Sequence, residues 1–270
     1  MSDQIPLGVF YTCYTETKAV DYSLELLFNH YPDIPVYLVS DGGNNYDFLK
    51  DKYPGKKIKT LLEKDTRGKL PSIRDHNYMT PENQEYMIHS IHAFLDRVKR
   101  AIEFCNCKHL LIMEPDVLVR GVLNIPENSK LLGSRINVGI TNDYKNFLNE
   151  FPGAVVINTW GVTPAIFSTD SFNKVMDLIK LYPELISIIC KLEWKIYNYD
   201  VLFPCLFALL GITEEFNPDI VECFRNSNWQ NTHHPLVHQY RAKYPLSSEG
   251  YDGTHTINNN GLGDYWPWER

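Results

Sequence analysis

Apolar runs and helical patterns alternate along the first part of the chain. Residues 6–14 predict a β-strand, and apolar residues then recur at helical spacing over 17–31. The run VYLVSDGG (36–43) predicts a second strand that is buried on both faces. Residues 44–55 predict a short helix and turn, and KIKTLL (57–62) predicts a third strand. Strand, helix and strand in this order predict a parallel sheet with right-handed crossovers.

A buried strand that ends in two carboxylates is the most unusual feature of the pattern. Residues 64–84 show no periodicity and predict a long loop over the sheet, and 81–106 predict a strong helix. This helix leads into HLLIMEPDVLVRG (109–121), in which apolar residues run directly into Glu114-Pro115-Asp116. Carboxylates at the end of a buried strand are costly unless something binds them.

The second half of the chain is less regular. Residues 153–182 predict a strand, a turn that contains glycine, and a helix. Residues 197–212 predict a helix that is interrupted by Pro204 and ended by Gly211. The remaining C-terminal residues are polar and rich in loop-forming residues. The whole pattern is that of an α/β protein.

Composition narrows the function classes. The chain has 270 residues, which is long enough for one large domain or two closely joined ones. Its formal charge is -7 and it has no dense Lys/Arg stripe, so the composition argues against a nucleic-acid partner. We expect no transmembrane segment and no signal peptide in this chain, and so a cytoplasmic location. The six cysteines lack the C-x-x-C spacing of zinc or redox sites and are expected to be buried free thiols.

Three of the predicted strands end in polar residues. In a parallel sheet the carboxyl ends of the strands gather at one edge, where ligands bind, so these residues should line one crevice. Asp41, at the end of the second strand, can accept a hydrogen bond from a base or a ribose, and the two glycines after it permit close backbone approach. A purely structural Asp-Gly-Gly turn is the alternative.

Glu114 and Asp116 flank Pro115, which rigidifies the end of the strand. Residues two apart on an extended chain project to the same side, and two carboxylates on one side suit Mg²⁺ or Mn²⁺ that is also held by diphosphate oxygens. The alternative is an aspartate that only caps a turn.

At this point the chain resembles the GT-A-type glycosyltransferases. The resemblance covers about the first 210 residues in order: a first strand, the VYLVSDGG strand, and a DxD-like motif that reads EPD between four apolar residues and VLVRG. It implies a single GT-A-like, Rossmann-like domain over 1–270, with a mostly parallel sheet flanked by helices. Residues 1–125 would form the nucleotide-sugar donor half, and 126–270 the acceptor half with a loop-rich tail.

The resemblance implies an enzyme that moves a sugar from a nucleoside diphosphate sugar to a hydroxyl of a carbohydrate or glycoconjugate acceptor. Asp116 would coordinate the metal directly, and Glu114 would bind it through water or bind the ribose. Asp41 resembles the acidic residue that contacts the nucleoside, and Thr12 resembles a backbone contact to the base. Asp96 and Arg97 would face the donor, or form an ion pair that faces solvent.

A late histidine often completes the metal shell in such enzymes. Of the three histidines in THHPLVHQY (232–240), His238 is the candidate, because Leu236 and Val237 predict a short strand that delivers it to the site. A shell with imidazole and carboxylate ligands favours Mn²⁺ over Ca²⁺. Ordinary hydrogen-bonded histidines are the alternative, and Pro235 disfavours a helical zinc pair of His234 and His238.

An inverting transferase needs a carboxylate base for the acceptor hydroxyl. By resemblance that base is Asp200, which opens a helix; a structural role of this aspartate as a helix N-cap is the alternative. Trp160 and Gly161 resemble an acceptor-side turn, in which the indole would stack on a sugar ring and the glycine would allow close approach. A tryptophan buried in the core is the other interpretation.

Three further functions are weighed against inverting transfer. A retaining transferase on the same fold would need no base. A sugar nucleotidyltransferase would be expected to carry a glycine-rich basic loop after the first strand, and YTCYTETKA (11–19) contains no glycine. A non-catalytic carbohydrate-binding protein would account for the many tyrosines and tryptophans but would leave the two carboxylates unused.

Overall fold

A computed structural model describes residues 4–63, 81–133, 136–137, 141–156, 159–160, 164–192, 199–223 and 232–238. For 81–83, 136–137, 159–160 and 199–202 the backbone alone is described. The predicted loop over 64–84 falls almost wholly outside these residues.

Twelve strands and seven helices are described in these residues. The strands are β1 (Ile5–Cys13), β2 (Val36–Asp41), β3 (Ile58–Glu63), β4 (Cys107–Met113), β5 (Val117–Val119), β6 (Leu131–Gly133), β7 (Ile136–Asn137), β8 (Thr159–Trp160), β9 (Ile166–Ser168), β10 (Glu215–Phe216), β11 (Ile220–Glu222) and β12 (Leu236–His238). The helices are α1 (Thr17–His30), α2 (Phe48–Lys52), α3 (Pro81–Cys105), α4 (Asn142–Asn149), α5 (Thr169–Leu181), α6 (Leu185–Lys191) and α7 (Tyr199–Ala208).

The central sheet has seven strands in the order β10-β6-β9-β4-β1-β2-β3. Strands β4, β1, β2 and β3 are parallel neighbours, and β9 is antiparallel to both β4 and β6. The predicted α/β class with a mostly parallel sheet is therefore confirmed. Since β4, β1 and β2 are adjacent and parallel, their carboxyl ends lie at one edge, as the sequence pattern predicted.

Apolar side chains cover both faces of this sheet. In β1, Phe10 packs in a core on the side of α3, whereas Val9 and Tyr11 pack in a second core on the side of α1. Fully burying each such side chain contributes about 1.5–3 kcal/mol, so the strand is fixed from both sides. This explains why the strand patterns are continuously apolar rather than alternating.

Gly8 allows the end of α3 to lie close against β1. A Cβ atom added at Gly8 would come within 2.6 Å of the Cβ of Cys105 and 2.9 Å of the Sγ atoms of Cys105 and Cys107. All six cysteines are buried and free, which confirms the expectation of buried free thiols. Burial raises the pKa of the Cys205 thiol to about 12 and that of Cys223 to about 11.

The strand and the helix predicted within 153–182 are present as the short β8 and as α5, and a further strand, β9, joins the central sheet in the antiparallel direction. The predicted interruption of a helix at Pro204 is wrong. Helix α7 runs through Pro204 without interruption. Its aromatic packing compensates for the lost hydrogen bond, because Phe203 lies 5.4 Å from Phe94 and 5.1 Å from Phe207, measured between ring centroids.

A small second sheet of three strands, in the order β11-β12-β5, extends from the end of β4. Strand β12 is parallel to β11 and antiparallel to β5. The short strand predicted to precede His238 is thus confirmed, and it lies directly beside the residues that follow the EPD motif.

Within the described part of the chain, none of the helices has the length and apolar character needed to cross a membrane.

Candidate metal and nucleotide site

The EPD motif forms a tight turn at the end of β4. The backbone N–H of Val117 donates a hydrogen bond to the carbonyl oxygen of Glu114 (2.9 Å), and Pro115 occupies the second position of the turn, which its fixed φ favours. The turn, and not the extended chain that the sequence suggested, therefore sets the directions of the two carboxylates. Glu114 is half-buried and Asp116 is only 4% exposed.

Strand β12 places His238 next to Asp116. His238 pairs with Val117 in the antiparallel register of β12 and β5, and its Nε2 lies 3.7 Å from Oδ1 of Asp116. His238 is 6% exposed. Within the described residues, Oδ1 of Asp116 has no hydrogen-bond partner. An unsatisfied buried oxygen of this kind costs about 1–3 kcal/mol, so this atom is suited to hold a ligand.

Glu222 contacts the other nitrogen of the same imidazole. It pairs with His238 in the parallel register of β11 and β12, and Nδ1 of His238 is hydrogen-bonded to Oε1 of Glu222. Burial alone would lower the pKa of His238, but the carboxylates of Asp116 and Glu222 raise it to about 9. Glu222 is not among the residues predicted from the sequence, although it is a carboxylate within the apolar run IVECF (220–224), a pattern that indicates a functional or paired acidic residue.

Glu114 and Asp41 belong to the same group of charges. The carboxylate of Glu114 interacts electrostatically with both His238 and Asp41, and contributes to the rise in the pKa of each. Burial is the largest cause of the raised pKa of Asp41, and the guanidinium of Arg97 opposes it. The ends of β2 and β4 and strand β12 thus bring the predicted acidic residues and the predicted histidine together.

Arg97 places a positive charge beside the carboxylate of Asp41. It lies on α3, is 2% exposed, and forms ion pairs with Asp41 and with Glu63 at the end of β3; Nε of Arg97 is 2.6 Å from Oε2 of Glu63. The sequence left open a solvent-facing ion pair of Asp96 and Arg97. Arg97 instead pairs with Asp41 and Glu63 and is largely buried, so it ties the ends of β2 and β3 to the helix.

Asp96 and Thr12 occupy different environments. The side chain of Asp96 is 62% exposed and forms an ion pair with Arg100, whose Nε lies 2.9 Å from Oδ2 of Asp96, so Asp96 lies on the outer surface of α3. Thr12 is half-buried near the carboxyl end of β1, in register with Val39. Contacts of these two residues and of Asp41 and Arg97 with a donor stay predictions.

The predicted base and acceptor residues are described only in part. The backbone of Asp200 lies in the first turn of α7, as a residue that opens a helix should, and the backbone of Trp160 lies in β8, paired with Ile136 of β7. Their side chains and all of Gly161 lie outside the described residues. Their catalytic and substrate-binding roles stay predictions.

The donor atoms at this edge fit a divalent cation of the Mn²⁺ or Mg²⁺ type. Asp116 offers a buried oxygen that has no hydrogen-bond partner among the described residues, and His238 offers an imidazole nitrogen on the same side. Glu114 lies close enough to interact with both His238 and Asp41. The described residues do not form a ready-made cluster of three ligands. A cation held here would therefore need further oxygens, such as those of a diphosphate or water.

Comparison of the whole chain with known proteins reveals similarity in structure but not in sequence. No protein-family model matches the sequence, and no curated protein matches it. An active-site mutant of LgtC superposes with a TM-score of 0.51 at 12% identity, over 90% of each chain. This chain therefore has the fold of LgtC.

Two further solved structures superpose with lower scores. The galactosyltransferase LgtC in complex with donor and acceptor sugar analogues has a TM-score of 0.46 at 12% identity, over 90% of each chain. The glycosyltransferase GlyE of Streptococcus pneumoniae TIGR4 has a TM-score of 0.45 at 12% identity, over 91% of this chain and 57% of GlyE.

Proposed function

We propose that this protein is a metal-dependent glycosyltransferase that moves a sugar from a nucleoside diphosphate sugar to an acceptor hydroxyl. The observation that carries the proposal is the buried Asp116 oxygen, which has no hydrogen-bond partner in the described part of the chain and lies 3.7 Å from the imidazole of His238 at the carboxyl edge of the sheet. The fold shared with LgtC, a galactosyltransferase, supports the same conclusion.

The chain supplies an environment suited to a pyrophosphate-bound cation. Asp116 and His238 would hold the cation, Mn²⁺ or Mg²⁺, and Glu114 would bind it through water or bind the ribose. A bound cation would neutralise charge on the departing diphosphate. Because Asp116 and His238 are buried, their electrostatic interactions with a ligand are screened less than they would be in water.

Asp41 and Arg97 would line the donor site next to the cation, at the end of β2. Their ion pair fixes the Asp41 carboxylate, which keeps one oxygen position for a hydrogen bond from a nucleoside hydroxyl or base. Thr12, on the adjacent strand β1, would contribute a backbone contact to the base. The donor nucleoside would then lie across the ends of β1 and β2, with its diphosphate directed to Asp116.

Transfer with inversion requires a base on the acceptor side. The acceptor oxygen would form a bond to the anomeric carbon while the bond from that carbon to the diphosphate oxygen breaks. The proton of the acceptor hydroxyl would pass to the carboxylate of Asp200, and the electron pair would leave with the diphosphate. Trp160 and Gly161 would contact the acceptor sugar. A retaining transferase on the same fold is the alternative, and it would not depend on Asp200.

A thermal-shift screen tests the proposal. The protein is heated with ADP, GDP, CDP, UDP or dTDP, and with their sugar conjugates, each with and without Mn²⁺. We expect stabilisation that requires both the metal and one nucleotide, and about 2.7 kcal/mol of stabilisation when the ligand is at 100 times its Kd. Asp116→Asn should abolish it, whereas Asp177→Asn, on the exposed surface of α5, should not. If no pair of metal and nucleotide stabilises the wild type, the proposal is wrong.

A further inference from the structure

We propose that Glu222 is a positioning residue that fixes the imidazole of His238 so that its Nε2 atom faces the cation held by Asp116. This inference rests on the proposed function, because it assigns a role in the same metal site. It concerns a residue outside the DxD-like motif, on a strand that the sequence pattern did not predict.

The backbone places Glu222, His238 and the residue after Asp116 side by side. Strand β12 lies between β11 and β5, and the registers pair His238 with Glu222 on one side and with Val117 on the other. The side chains of Glu222 and His238 are 6% and 8% exposed, so the contact between them is shielded from water. The imidazole is therefore held between two acidic residues, Glu222 at Nδ1 and Asp116 near Nε2.

The chemistry of the contact specifies which nitrogen carries a proton. An ionised carboxylate only accepts hydrogen bonds, so Nδ1 must donate to Glu222. The neutral tautomer that keeps this bond has its lone pair on Nε2, the nitrogen that faces Asp116. That is the tautomer that can coordinate a cation together with the Asp116 oxygen. A carboxylate in this position also raises the basicity of the coordinating nitrogen.

A purely structural ion pair makes different predictions. If Glu222 only stabilised the sheet β11-β12-β5, its removal would lower the free energy of unfolding but leave the metal affinity of the folded protein unchanged. A positioning residue must instead act through His238, so its removal should have no additional effect on metal affinity once His238 is gone. A double-mutant cycle separates these two cases.

The experiment measures Mn²⁺ binding by the loss of the free-ion EPR signal, with Mn²⁺ alone and then with each of the five nucleoside diphosphates. Glu222→Gln keeps an amide oxygen that accepts from Nδ1, so we expect about 10-fold weaker binding, and Glu222→Ala should approach 100-fold, the range typical of residues that support a metal ligand. In the His238→Ala background, Glu222→Gln should have no further effect. Glu215→Gln is the matched control, since Glu215 is exposed on β10.

A spectroscopic measurement on the same variants does not depend on affinity. In protein labelled with ¹⁵N-histidine and loaded with Mg²⁺ and nucleotide, the wild-type His238 should show a protonated Nδ1 and an unprotonated Nε2. In Glu222→Ala this pattern should give way to a mixture of tautomers. Glu222→Gln is isosteric with the wild type, so it provides a folded variant should Glu222→Ala fail to fold.

The outcomes distinguish this inference from the proposed function. If the wild type binds Mn²⁺ with nucleotide and both Glu222 variants bind equally well, the positioning role is wrong and the proposed function stands. If Glu222→Gln weakens binding equally with and without His238, Glu222 does not act through His238 and the inference is again wrong. If the wild type binds no Mn²⁺ under any of these conditions, the proposed function fails and this inference fails with it.

Discussion

The imidazole of His238 lies against the carboxylate of Asp116, with Nε2 3.7 Å from Oδ1, although the two residues come from distant parts of the sequence. Three short strands create this contact. Strand β5 directly follows the EPD turn, and β12 lies between β11 and β5. The buried Oδ1 of Asp116 and the Nε2 of His238 therefore lie next to each other at the carboxyl edge of the sheet.

Replacing His238 should change both the strength and the selectivity of metal binding. His238→Ala removes a nitrogen ligand and leaves oxygen ligands, which favour Mg²⁺ relative to Mn²⁺. We expect Mn²⁺ affinity to fall by at least about tenfold and the preference for Mn²⁺ over Mg²⁺ to shrink. Competition between the two ions, followed by EPR, measures both quantities.

His233→Ala is the control for this change, because His233 is an exposed histidine of the same segment. It should leave both affinities as they are in the wild type. Equal effects of the two variants would mean that His238 is not a ligand.

Asp200→Asn should abolish transfer while the protein still binds its donor. The amide cannot take the proton of the acceptor hydroxyl, and general-base catalysis of this kind contributes about 10²–10⁴-fold in rate. NMR of the product should show an inverted anomeric configuration in the wild type. A retained configuration, or normal transfer by Asp200→Asn, would contradict the inverting mechanism.

Asp170→Asn is a matched control for Asp200→Asn. Asp170 is the second residue of α5, as Asp200 is of α7, so both changes remove a negative charge from the first turn of a helix. Each should cost about 0.3–1 kcal/mol of helix stabilisation. Only the Asp200 variant should lose activity.

Arg97→Met should destabilise the protein through the two carboxylates it leaves behind. Arg97 is almost fully buried, and Asp41 and Glu63 both depend on it. Breaking a buried pair costs about 3–5 kcal/mol, and we expect about 2–4 kcal/mol here because both carboxylates keep some contact with water. Urea unfolding measures the change.

Lys99→Met, on the exposed side of the same helix, removes a surface ion pair with Glu103 and should cost less than about 1 kcal/mol. If the two variants were equally stable, the buried network at the ends of β2 and β3 would contribute nothing.

The contribution of Glu63 should depend on pH. Burial alone would raise the pKa of Glu63, but hydrogen bonds and charge from Arg100 and Arg97 lower it below the ordinary value of 4.5. The stabilisation is therefore fully present above pH 4.5, and it is lost as the pH falls through the lower pKa of the folded state.

Urea unfolding of wild type and Glu63→Gln over a pH series tests this dependence. The difference in free energy of unfolding should be constant at neutral pH and should shrink below pH 4.5. Asp41 is present in both proteins, so its own pH dependence largely cancels. A difference that grows as the pH falls would contradict the assignment.

Local patterns in the sequence predicted much of the fold. The apolar runs predicted β1, β2 and β4, because strands buried on both faces leave few alternatives, and the helical spacing predicted α1 and α3. Strand β3 was also predicted, although it is only partly buried. The same patterns correctly placed the ends of β2 and β4 at one edge. Asp41 and Glu114, at the ends of these strands, could therefore be predicted to lie at the same edge of the sheet.

Other features depend on long-range contacts that no local pattern encodes. The antiparallel β9 is three residues long, too short for its direction to be read from its apolar residues. Glu222 lies beside His238 only because β11 and β12 pair in one register. Arg97 was recognised as a charged residue near the donor side, but its burial between Asp41 and Glu63 depends on how α3 packs on the sheet.

A crystal structure with Mn²⁺ and the nucleotide identified by the thermal-shift screen tests the central claim most directly. Anomalous scattering from manganese should give a peak in contact with an oxygen of Asp116 and with Nε2 of His238, with diphosphate oxygens completing the shell. A nucleotide bound elsewhere, or a manganese peak that contacts neither residue, would contradict the account.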